Sequence, residues 1–220
     1  MIPTEPTWKS YICETTEPVF SPKQCQMVIN TGMSLKTENA KVGMGKKEGS
    51  GYDPEKRITR ISWIPFKAMP EMYKDIEKTM LQANNNHFGF EGMRLTEPGQ
   101  FTHYPTGGFY EWHMDNDLVG KHQPPVRKIS MTLLLSDPAT FEGGELEFMD
   151  DKKPRVKLKQ GQAIFFASWL RHRVRPITQG ERTSLVMWFG GPPFKWLLNI
   201  IFQLLFILKI YLMQLKLIHT

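Results

Sequence analysis

The sequence is poor in cysteine, with only two among its 220 residues. Cys13 and Cys25 do not form a Cys-x-x-Cys pair, which excludes a zinc knuckle or a dithiol redox site built from them. We therefore expect two free thiols in a reducing compartment. The first residues also lack the basic and then apolar pattern of a secretory signal peptide, so we expect a cytoplasmic location.

Long runs of one charge sign are missing as well. Lysine and arginine total 28 against 22 acidic residues, which gives a net charge of +6 and a pI of about 9.2. The basic residues are scattered, and the runs that occur, such as Lys46-Lys47 and Lys152-Lys153, are short. A dedicated nucleic-acid surface concentrates such residues on one face. The balance favours solubility or an acidic substrate, and a nucleic-acid partner is the weaker alternative.

One long apolar run is present, near the C-terminal end. Residues 196–218 are rich in Ile, Leu and Phe and contain no Gly, Pro or acidic residue. The run approaches the length that spans a bilayer, but lysine and amide side chains interrupt it. Three interpretations of the tail stay open: a helix that packs on the body or on a partner, an anchor in contact with a membrane, and translated non-coding sequence. We favour the packing helix.

The first ninety-odd residues predict a mixed, mostly helical region. The run Ser-Pro-Lys-Gln at 21–24 combines an N-cap serine, a proline at the first helical position and the glutamine of a capping box. Apolar residues at helical spacing predict a second helix over 70–84, and residues 58–64 alternate as in a strand. Residues 41–52 are rich in Gly and Lys, which predicts a loop that is either a substrate lid or a plain surface excursion.

From about residue 100 the chain changes to short apolar segments separated by Gly, Pro, Asp and Asn. Eight strands with frequent turn signals predict an antiparallel sandwich or jelly roll and argue against a parallel α/β sheet. We predict one α+β domain, with a helical and mixed support region over 1–94, a β core over 95–191 and an apolar tail over 192–220. The predicted strands are 100–104, 109–114, 128–135, 145–148, 155–158, 163–167, 172–177 and 183–189.

The candidate chemistry lies in His113-Met114-Asp115 and in a lone His172. Side chains two residues apart on a strand point to the same face, so His113 and Asp115 are expected to bind one metal ion. A second histidine from elsewhere completes a 2-His-1-carboxylate triad, which leaves coordination positions open and suits non-heme Fe(II). A His-x-Asp pair alone also arises by chance at surface turns, so the metal site needs independent support.

Arg182 supplies that support. The guanidinium is the side chain best suited to hold a carboxylate through two parallel hydrogen bonds. A dicarboxylate such as 2-oxoglutarate needs a metal at its keto-acid end and a cation at its far carboxylate. Tyr104 is the candidate hydroxyl donor beside that cation. Taken alone, an arginine near a hairpin is more often a surface residue, so the argument depends on Arg182 and the triad together.

Several segments resemble one known family. Residues 104–115 (Tyr-Pro-Thr-Gly-Gly-Phe-Tyr-Glu-Trp-His-Met-Asp) resemble the Tyr-x-x-Gly-x-x-Tyr-x-x-His-x-Asp signature of the prolyl 4-hydroxylase-like 2-oxoglutarate/Fe(II) dioxygenases. Residues 141–148 resemble the Gly-Gly-Glu strand of that family, and residues 165–188 resemble its distal histidine and co-substrate motif. The resemblance runs in order from about residue 95 to 191, and it is nearest to the bacterial and phage PKHD-type hydroxylases.

The resemblance implies a double-stranded β-helix (jelly-roll) core with supporting N-terminal helices. It implies Fe(II), 2-oxoglutarate and O2 as reactants, with ascorbate as an optional reductant. Trp188 is implied as a residue of the co-substrate pocket, although a tryptophan at this position is equally typical of an ordinary core. The implied iron ligands are His113, Asp115 and His172, and the implied co-substrate contacts are Arg182, Tyr104 and Trp188.

The resemblance also implies the reaction class. We expect hydroxylation of an unidentified peptide, protein or small-molecule substrate, with a peptidyl proline as one candidate, coupled to decarboxylation of 2-oxoglutarate to succinate and CO2. Asp115 favours hydroxylation, because the related halogenases lack this carboxylate. One alternative is an oxidative nucleic-acid demethylase, which usually carries a further arginine on the final strand; residues 183–195 contain none. The other is a non-catalytic, cupin-like metal-binding module, and Arg182 argues against it.

Overall fold

Two helices precede most of the β structure, and both begin where proline fixes the first helical turn. Helix α1 (Pro22–Ser34) starts at the predicted capping box: the Ser21 hydroxyl accepts from the Gln24 backbone, and the Gln24 side chain accepts from the Ser21 backbone. Helix α2 (Pro70–Ala83) continues into a π-helical turn, and two short 3-10 turns lie elsewhere in the chain. These three turns are Asn84–Phe88, Phe66–Ala68 and Pro138–Thr140.

The computed structural model describes residues 10–40, 51–116, 124–149 and 155–194. Within them every strand pairing is antiparallel. The strands, in chain order, are β1 (Ile12–Glu14), β2 (Glu38–Asn39), β3 (Arg57–Ile58), β4 (Arg60–Ile64), β5 (Arg94–Leu95), β6 (Gly99–Tyr104), β7 (Phe109–His113), β8 (Val126–Leu134), β9 (Phe141–Gly143), β10 (Leu146–Phe148), β11 (Arg155–Val156), β12 (Ala163–Ala167), β13 (His172–Val174), β14 (Ile177–Gly180) and β15 (Arg182–Gly191).

The strands form two main sheets. The larger has the order β1-β12-β8-β15-β6-β4-β2, with β5 also paired to β15. The smaller has the order β11-β10-β13-β7-β3, and β14 and β9 form a separate pair. Three strands of the N-terminal region therefore pair directly with core strands: β1 with β12 and β4 with β6 in the larger sheet, and β3 with β7 in the smaller one.

The two faces of the larger sheet carry different side chains. Along β15, Leu185, Met187 and Phe189 belong to a core cluster that also contains apolar residues of both helices. The alternate positions include Arg182 and Trp188, and because strand side chains alternate they point to the other face. A second apolar cluster, with members from β6, β10, β12 and β13, lies on that face between the sheets. Polar and ionisable side chains therefore enter the protein interior on the side that faces the smaller sheet.

Most of the elements predicted from the sequence are confirmed, and β12 has the predicted bounds. The bounds of most other strands shift by one or two residues, and three differences bear on the site or the fold. The predicted strand over 109–114 ends at residue 113, the one over 172–177 divides into β13 and β14, and the N-terminal region contributes more strand than expected. The first change accompanies the irregular register between β7 and β13. The second follows from Pro176, which has no N–H group to donate to a neighbouring strand.

Two predicted features lie largely outside the described residues. The structure does not describe residues 41–50 of the predicted lid or residues 195–220 of the predicted tail. No helix in the described part of the chain is long and apolar enough to cross a membrane. The division into a support region, a core and a tail stays a prediction.

Candidate metal and co-substrate site

An irregular strand places the first candidate ligand. His172 on β13 lies directly opposite His113 on β7, whereas Val174 lies opposite Tyr110, so β7 uses one more residue than β13 over the same distance. This is a β-bulge, which shifts the side-chain alternation of the strand that contains it. As a result Tyr110 and His113 share a face, with their rings stacked at 3.5 Å between centroids and 16° between planes.

Asp115 lies beyond the end of β7, so the expectation that His113 and Asp115 share one regular strand is wrong in its geometry. The chain bends after His113, and the backbone N–H groups of Asp115 and Asn116 both donate to the Ser168 carbonyl at 2.9 Å. These two bonds fix the bend to the segment after β12. The Asp115 carboxylate therefore still reaches the two histidines, through a bend held by another strand.

The ligand atoms of His113, Asp115 and His172 all lie within 4.8 Å of one another. Among the described residues this is the one group of three or more His, Cys, Asp or Glu side chains that can hold a metal ion. The Nε2 atoms of His113 and His172 lie 3.9 and 3.6 Å from the Asp115 oxygens, which is beyond hydrogen-bond length. Two atoms that each bind one ion at about 2.1 Å lie at most about 4.2 Å apart, and both of these histidine–carboxylate distances are within that limit.

Each histidine presents the correct nitrogen. His113 Nδ1 lies 2.7 Å from the Glu111 carbonyl oxygen, and His172 Nδ1 lies 2.9 Å from the Leu170 carbonyl oxygen. Because a carbonyl can only accept, each Nδ1 carries the proton and donates it. Each Nε2 is then left with a free lone pair, as a metal ligand requires.

The electrostatics of the site favour the ligating forms. Burial holds the pKa of His113 well below its usual range, and the nearby His172 lowers it further. Burial alone would raise the pKa of Asp115, but His172, His113 and the Ser130 hydroxyl together lower it. A neutral imidazole and an ionised carboxylate are the forms that bind a metal ion. The residues present therefore fit a divalent ion.

Arg182 lies at the start of β15, directly opposite Tyr104 on β6. The side chain is only 4% exposed, and its Nη1 donates to the Ser184 hydroxyl at 3.1 Å. Its guanidinium carbon lies 5.6 Å from the centroid of the Tyr104 ring. No acidic side chain of the described residues forms an ion pair with it. Burial lowers the pKa of Arg182, yet an arginine stays charged in proteins, so this interior holds a cation that needs an anion.

Trp188 lies on the same face of β15 as Arg182, but it contacts a different part of the site. Its indole N–H is buried without a hydrogen-bond partner, although it lies close enough to Asp115 to lower the pKa of that carboxyl. The Arg127 guanidinium stacks over the indole at 4.0 Å. The structure thus brings Trp188 to the carboxylate of the triad, and its predicted contact with the co-substrate stays a prediction.

Sequence reasoning missed several residues that support the site. The Ser130 hydroxyl donates to Asp115 Oδ2 at 2.7 Å and is 3.0 Å from the Ser168 hydroxyl. Gly144 has a φ of +67°, and a Cβ atom there would lie 2.9 Å from Cδ of Arg182 and 2.2 Å from Cδ1 of Ile177. The position of Gly144 next to Arg182 was detectable in neither composition nor spacing.

Comparison with known proteins agrees with this geometry. A sequence model of the 2OG-Fe(II) oxygenase superfamily matches residues 99–190. A PKHD-type hydroxylase of Shewanella sp. strain ANA-3 is 38% identical over 93 residues, which cover 41% of this chain and 42% of the relative. A PKHD-type hydroxylase of Teredinibacter turnerae is 35% identical over 124 residues, which cover 54% and 55%. The chain therefore spans about half the length of the curated relatives it matches.

Solved structures share the fold. The viral collagen prolyl hydroxylase of Paramecium bursaria Chlorella virus-1, in complex with 2-oxoglutarate, aligns with a TM-score of 0.64 at 21% identity, covering 83% of this chain and 97% of that one. A Pseudomonas putida prolyl-4-hydroxylase aligns with a TM-score of 0.62, also at 21% identity, covering 83% and 93%. At this identity the likeness concerns the fold alone. Residues 99–190 therefore match the 2OG-Fe(II) oxygenase superfamily in sequence, and the chain is similar in fold to solved prolyl hydroxylases.

Proposed function

We propose that this chain is an Fe(II)- and 2-oxoglutarate-dependent dioxygenase that hydroxylates a C–H bond of its substrate. The core that carries the reaction is a double-stranded β-helix, for which the two facing antiparallel sheets are the support. When bound, the iron and 2-oxoglutarate supply oxidative decarboxylation to succinate and CO2, coupled to insertion of an oxygen atom from O2. Ascorbate is the proposed reductant for iron that becomes oxidised.

His113, Asp115 and His172 are the proposed iron ligands. Three protein ligands leave the remaining coordination positions to the co-substrate and O2. The carbonyl groups behind each Nδ1 keep both rings in the ligating tautomer, and the Ser130 hydroxyl keeps one Asp115 oxygen oriented. The protein contributes rigid orientation here, because all three ligands are fixed by backbone or buried hydroxyl groups before any ion arrives.

Arg182 is the proposed partner of the far carboxylate of 2-oxoglutarate, and this side chain is the observation that carries the proposal. A buried guanidinium without an acid partner is costly unless a ligand supplies the opposite charge. Arg182 and Tyr104, the proposed hydroxyl donor, enter the space between the sheets from the larger sheet, whereas the two triad histidines enter it from the smaller one. A metal triad alone would fit many functions, whereas a triad with an unpaired buried arginine fits a dicarboxylate chelator.

Tyr110 is suited to hold a proton near the iron. Burial raises the pKa of Tyr110 to about 12, with Arg57 acting in the opposite direction. The phenol is therefore protonated at neutral pH and is a hydrogen-bond donor. Because its ring is stacked on that of His113, the hydroxyl is held in a fixed relation to this metal ligand. We propose that Tyr110 orients the substrate or the bound co-substrate and does not act as a base.

The substrate class to test first is a prolyl peptide, for which prolyl hydroxylases among the structural neighbours are the support. The experiment measures succinate formed from 2-oxoglutarate by the Fe(II)-loaded protein with peptides, free amino acids and oligonucleotides. Turnover that rises with a peptide or amino acid and is absent in the Asp115→Ala variant supports the proposal. Turnover driven by a methylated oligonucleotide would assign a demethylase instead. No turnover under any condition, with the metal bound, would assign a non-catalytic metal-binding protein.

A further inference from the structure

A second buried arginine lies beside the triad. Arg57, on β3, is 6% exposed, and its guanidinium carbon lies 4.3 Å from the centroid of the Tyr110 ring. Its Nη2 donates to the Gln100 side-chain oxygen at 3.1 Å, whereas its Nε is buried without any hydrogen-bond partner. A structural arginine in a protein interior normally uses its donors, so the free Nε is unusual.

Within the described part of the chain, Arg57 also lacks a counter-charge. In the described chain, the arginines that pair with an acid are less buried than Arg57, as in the pairs Arg127 with Glu97 and Arg173 with Glu147. Arg57 and Arg182 are the two arginines of the described residues that are buried, and neither forms an ion pair with a described acid. The proposed function gives Arg182 its anion in 2-oxoglutarate. It gives Arg57 none.

The position of Arg57 connects it to the reacting centre. The guanidinium stacks on one aromatic ring, Tyr110, and that ring stacks on the metal ligand His113 at 3.5 Å. An anion bound to Arg57 therefore lies next to the iron-binding side chains and not at a remote surface.

The charges of the assembled site leave room for one more anion. A divalent ion and two guanidinium groups face one carboxylate, Asp115, and a dianionic 2-oxoglutarate, which leaves an excess of positive charge in a buried space. Opposite charges are strongly favoured in such a space, because little water screens them. A neutral substrate would leave this excess uncompensated.

We propose that Arg57 binds a carboxylate of the substrate, next to the C–H bond that is oxidised. A planar carboxylate matches the edge of a guanidinium that presents Nε and a neighbouring Nη, while the Tyr110 ring covers its face. The substrate class is then a carboxylic acid, either a free amino acid or an acidic residue of a peptide. This inference rests on the proposed function, since it assumes that 2-oxoglutarate occupies Arg182.

The test measures anion binding without turnover. The full chain is loaded with Zn(II), which has no redox chemistry, and saturated with 2-oxoglutarate so that Arg182 is occupied. Its thermal midpoint is then followed against acetate and against acetamide, a neutral analogue of the same shape, at constant ionic strength. We expect a saturable rise with acetate and none with acetamide. Absence of a rise with acetate in the wild-type protein would overturn the proposal, and a stronger rise with inorganic phosphate would overturn the choice of a carboxylate.

Two variants make the assignment specific to one residue. Arg57→Gln retains a donor for Gln100 but removes the charge, and we expect its apparent affinity for acetate to fall at least tenfold. Arg60→Gln removes an exposed arginine on the neighbouring strand β4 and is expected to behave as wild type. Equal acetate affinity in Arg57→Gln and wild type would overturn the proposal. If Arg57→Gln does not fold, Arg57→Lys, which keeps the charge but loses the planar fork, is expected to show the same direction of change.

The result also separates the two proposals. Failure of the acetate test in a protein that still converts 2-oxoglutarate to succinate would refute the role of Arg57 and leave the dioxygenase intact. If wild type does not bind 2-oxoglutarate at all, the proposed function fails first. With acetate dependence confirmed, succinate assays with L-proline and with an acidic prolyl peptide then distinguish a free amino acid from a peptide residue.

Discussion

His113 and His172 are directly opposed residues of β7 and β13, and their ring centroids lie 4.2 Å apart. Burial lowers the pKa of His113, and the nearby His172 lowers it further because two protonated rings this close would repel each other. Both rings also turn their Nδ1 atoms to backbone carbonyl groups of their own segments. The pair is thus arranged for an ion that bonds to both Nε2 atoms, with Asp115 as the third ligand.

Ser130→Ala should weaken metal binding without removing a ligand. The Ser130 hydroxyl donates to Asp115 Oδ2 at 2.7 Å, and partners of this kind typically change metal affinity by about 10- to 100-fold. The measurement is the dissociation constant for Co(II) or Fe(II) by competition with a chelator. The matched control is Ser136→Ala, another buried serine, whose hydroxyl pairs with Thr183 away from the triad. A similar loss of affinity in both variants would contradict a specific role for Ser130.

Arg182→Met should weaken 2-oxoglutarate binding and leave the ligand-free protein at least as stable as wild type. Removing one partner of a buried charge pair costs about 2 kcal/mol or more, which corresponds to roughly thirtyfold or more in the dissociation constant. Without ligand, the guanidinium has no acid partner among the residues that the structure describes, so an apolar side chain of similar length relieves a desolvation cost. Calorimetric titration and thermal unfolding measure the two effects. A strong fall in the melting temperature with unchanged 2-oxoglutarate affinity would mean a structural arginine, and Arg94→Met, an exposed arginine on β5, serves as the control.

Gly144→Ala should disturb the co-substrate site through Arg182. A Cβ atom at this position would lie 2.9 Å from Cδ of Arg182 and 2.2 Å from Cδ1 of Ile177, so the arginine must shift. The positive φ of +67° adds about 1–2 kcal/mol of backbone cost for a residue with a side chain.

Gly89→Ala is the matched control for that variant. Gly89 has a nearly equal φ of +70°, but a Cβ there would meet nothing within 4 Å. The backbone cost of the positive φ should lower the free energy of unfolding by a similar amount in both variants. The KM for 2-oxoglutarate should rise in Gly144→Ala alone. Equal KM values in the two variants would show that Gly144 serves only its turn.

The sequence led to the candidate residues more directly than to the geometry that brings them together. His172 and Arg182 were identified because their spacing belongs to a long motif, and β12 was predicted with its full bounds because it is a continuous apolar run after a glycine. The two-residue rule failed for Asp115, since the bulge and the bend depend on hydrogen bonds to a distant segment. Arg57 was not identified at all. Its burial depends on the pairing of β3 with β7, about which no local pattern around residue 57 carries information.

The two cysteines should resist thiol reagents in the native protein. Both are free, and burial raises the pKa of Cys13 to about 12 and that of Cys25 to about 11. Because a raised pKa keeps the thiol protonated, the reactive thiolate fraction stays very small at pH 8. A disulfide reagent such as dithiobisnitrobenzoate should label both cysteines rapidly in the unfolded protein. In the native protein, we expect the labelling of both to be much slower. Rapid labelling of the native protein at pH 8 would contradict the buried position of Cys25 and the half-buried position of Cys13.

The account depends most on a single complex, in which the triad and Arg182 hold Fe(II) and 2-oxoglutarate together. Anaerobic titration of the Fe(II)-loaded protein with 2-oxoglutarate tests it directly, because chelation by the keto acid produces a visible charge-transfer band. We predict a saturable band in wild type. The band should be lost in His172→Ala, because this variant loses iron affinity. In Arg182→Met, the midpoint of the titration should shift to a much higher 2-oxoglutarate concentration. His103→Ala, which removes a histidine paired with Glu181 outside the triad, should behave as wild type. A band of equal intensity and equal midpoint in His172→Ala and wild type would contradict the assignment of the site.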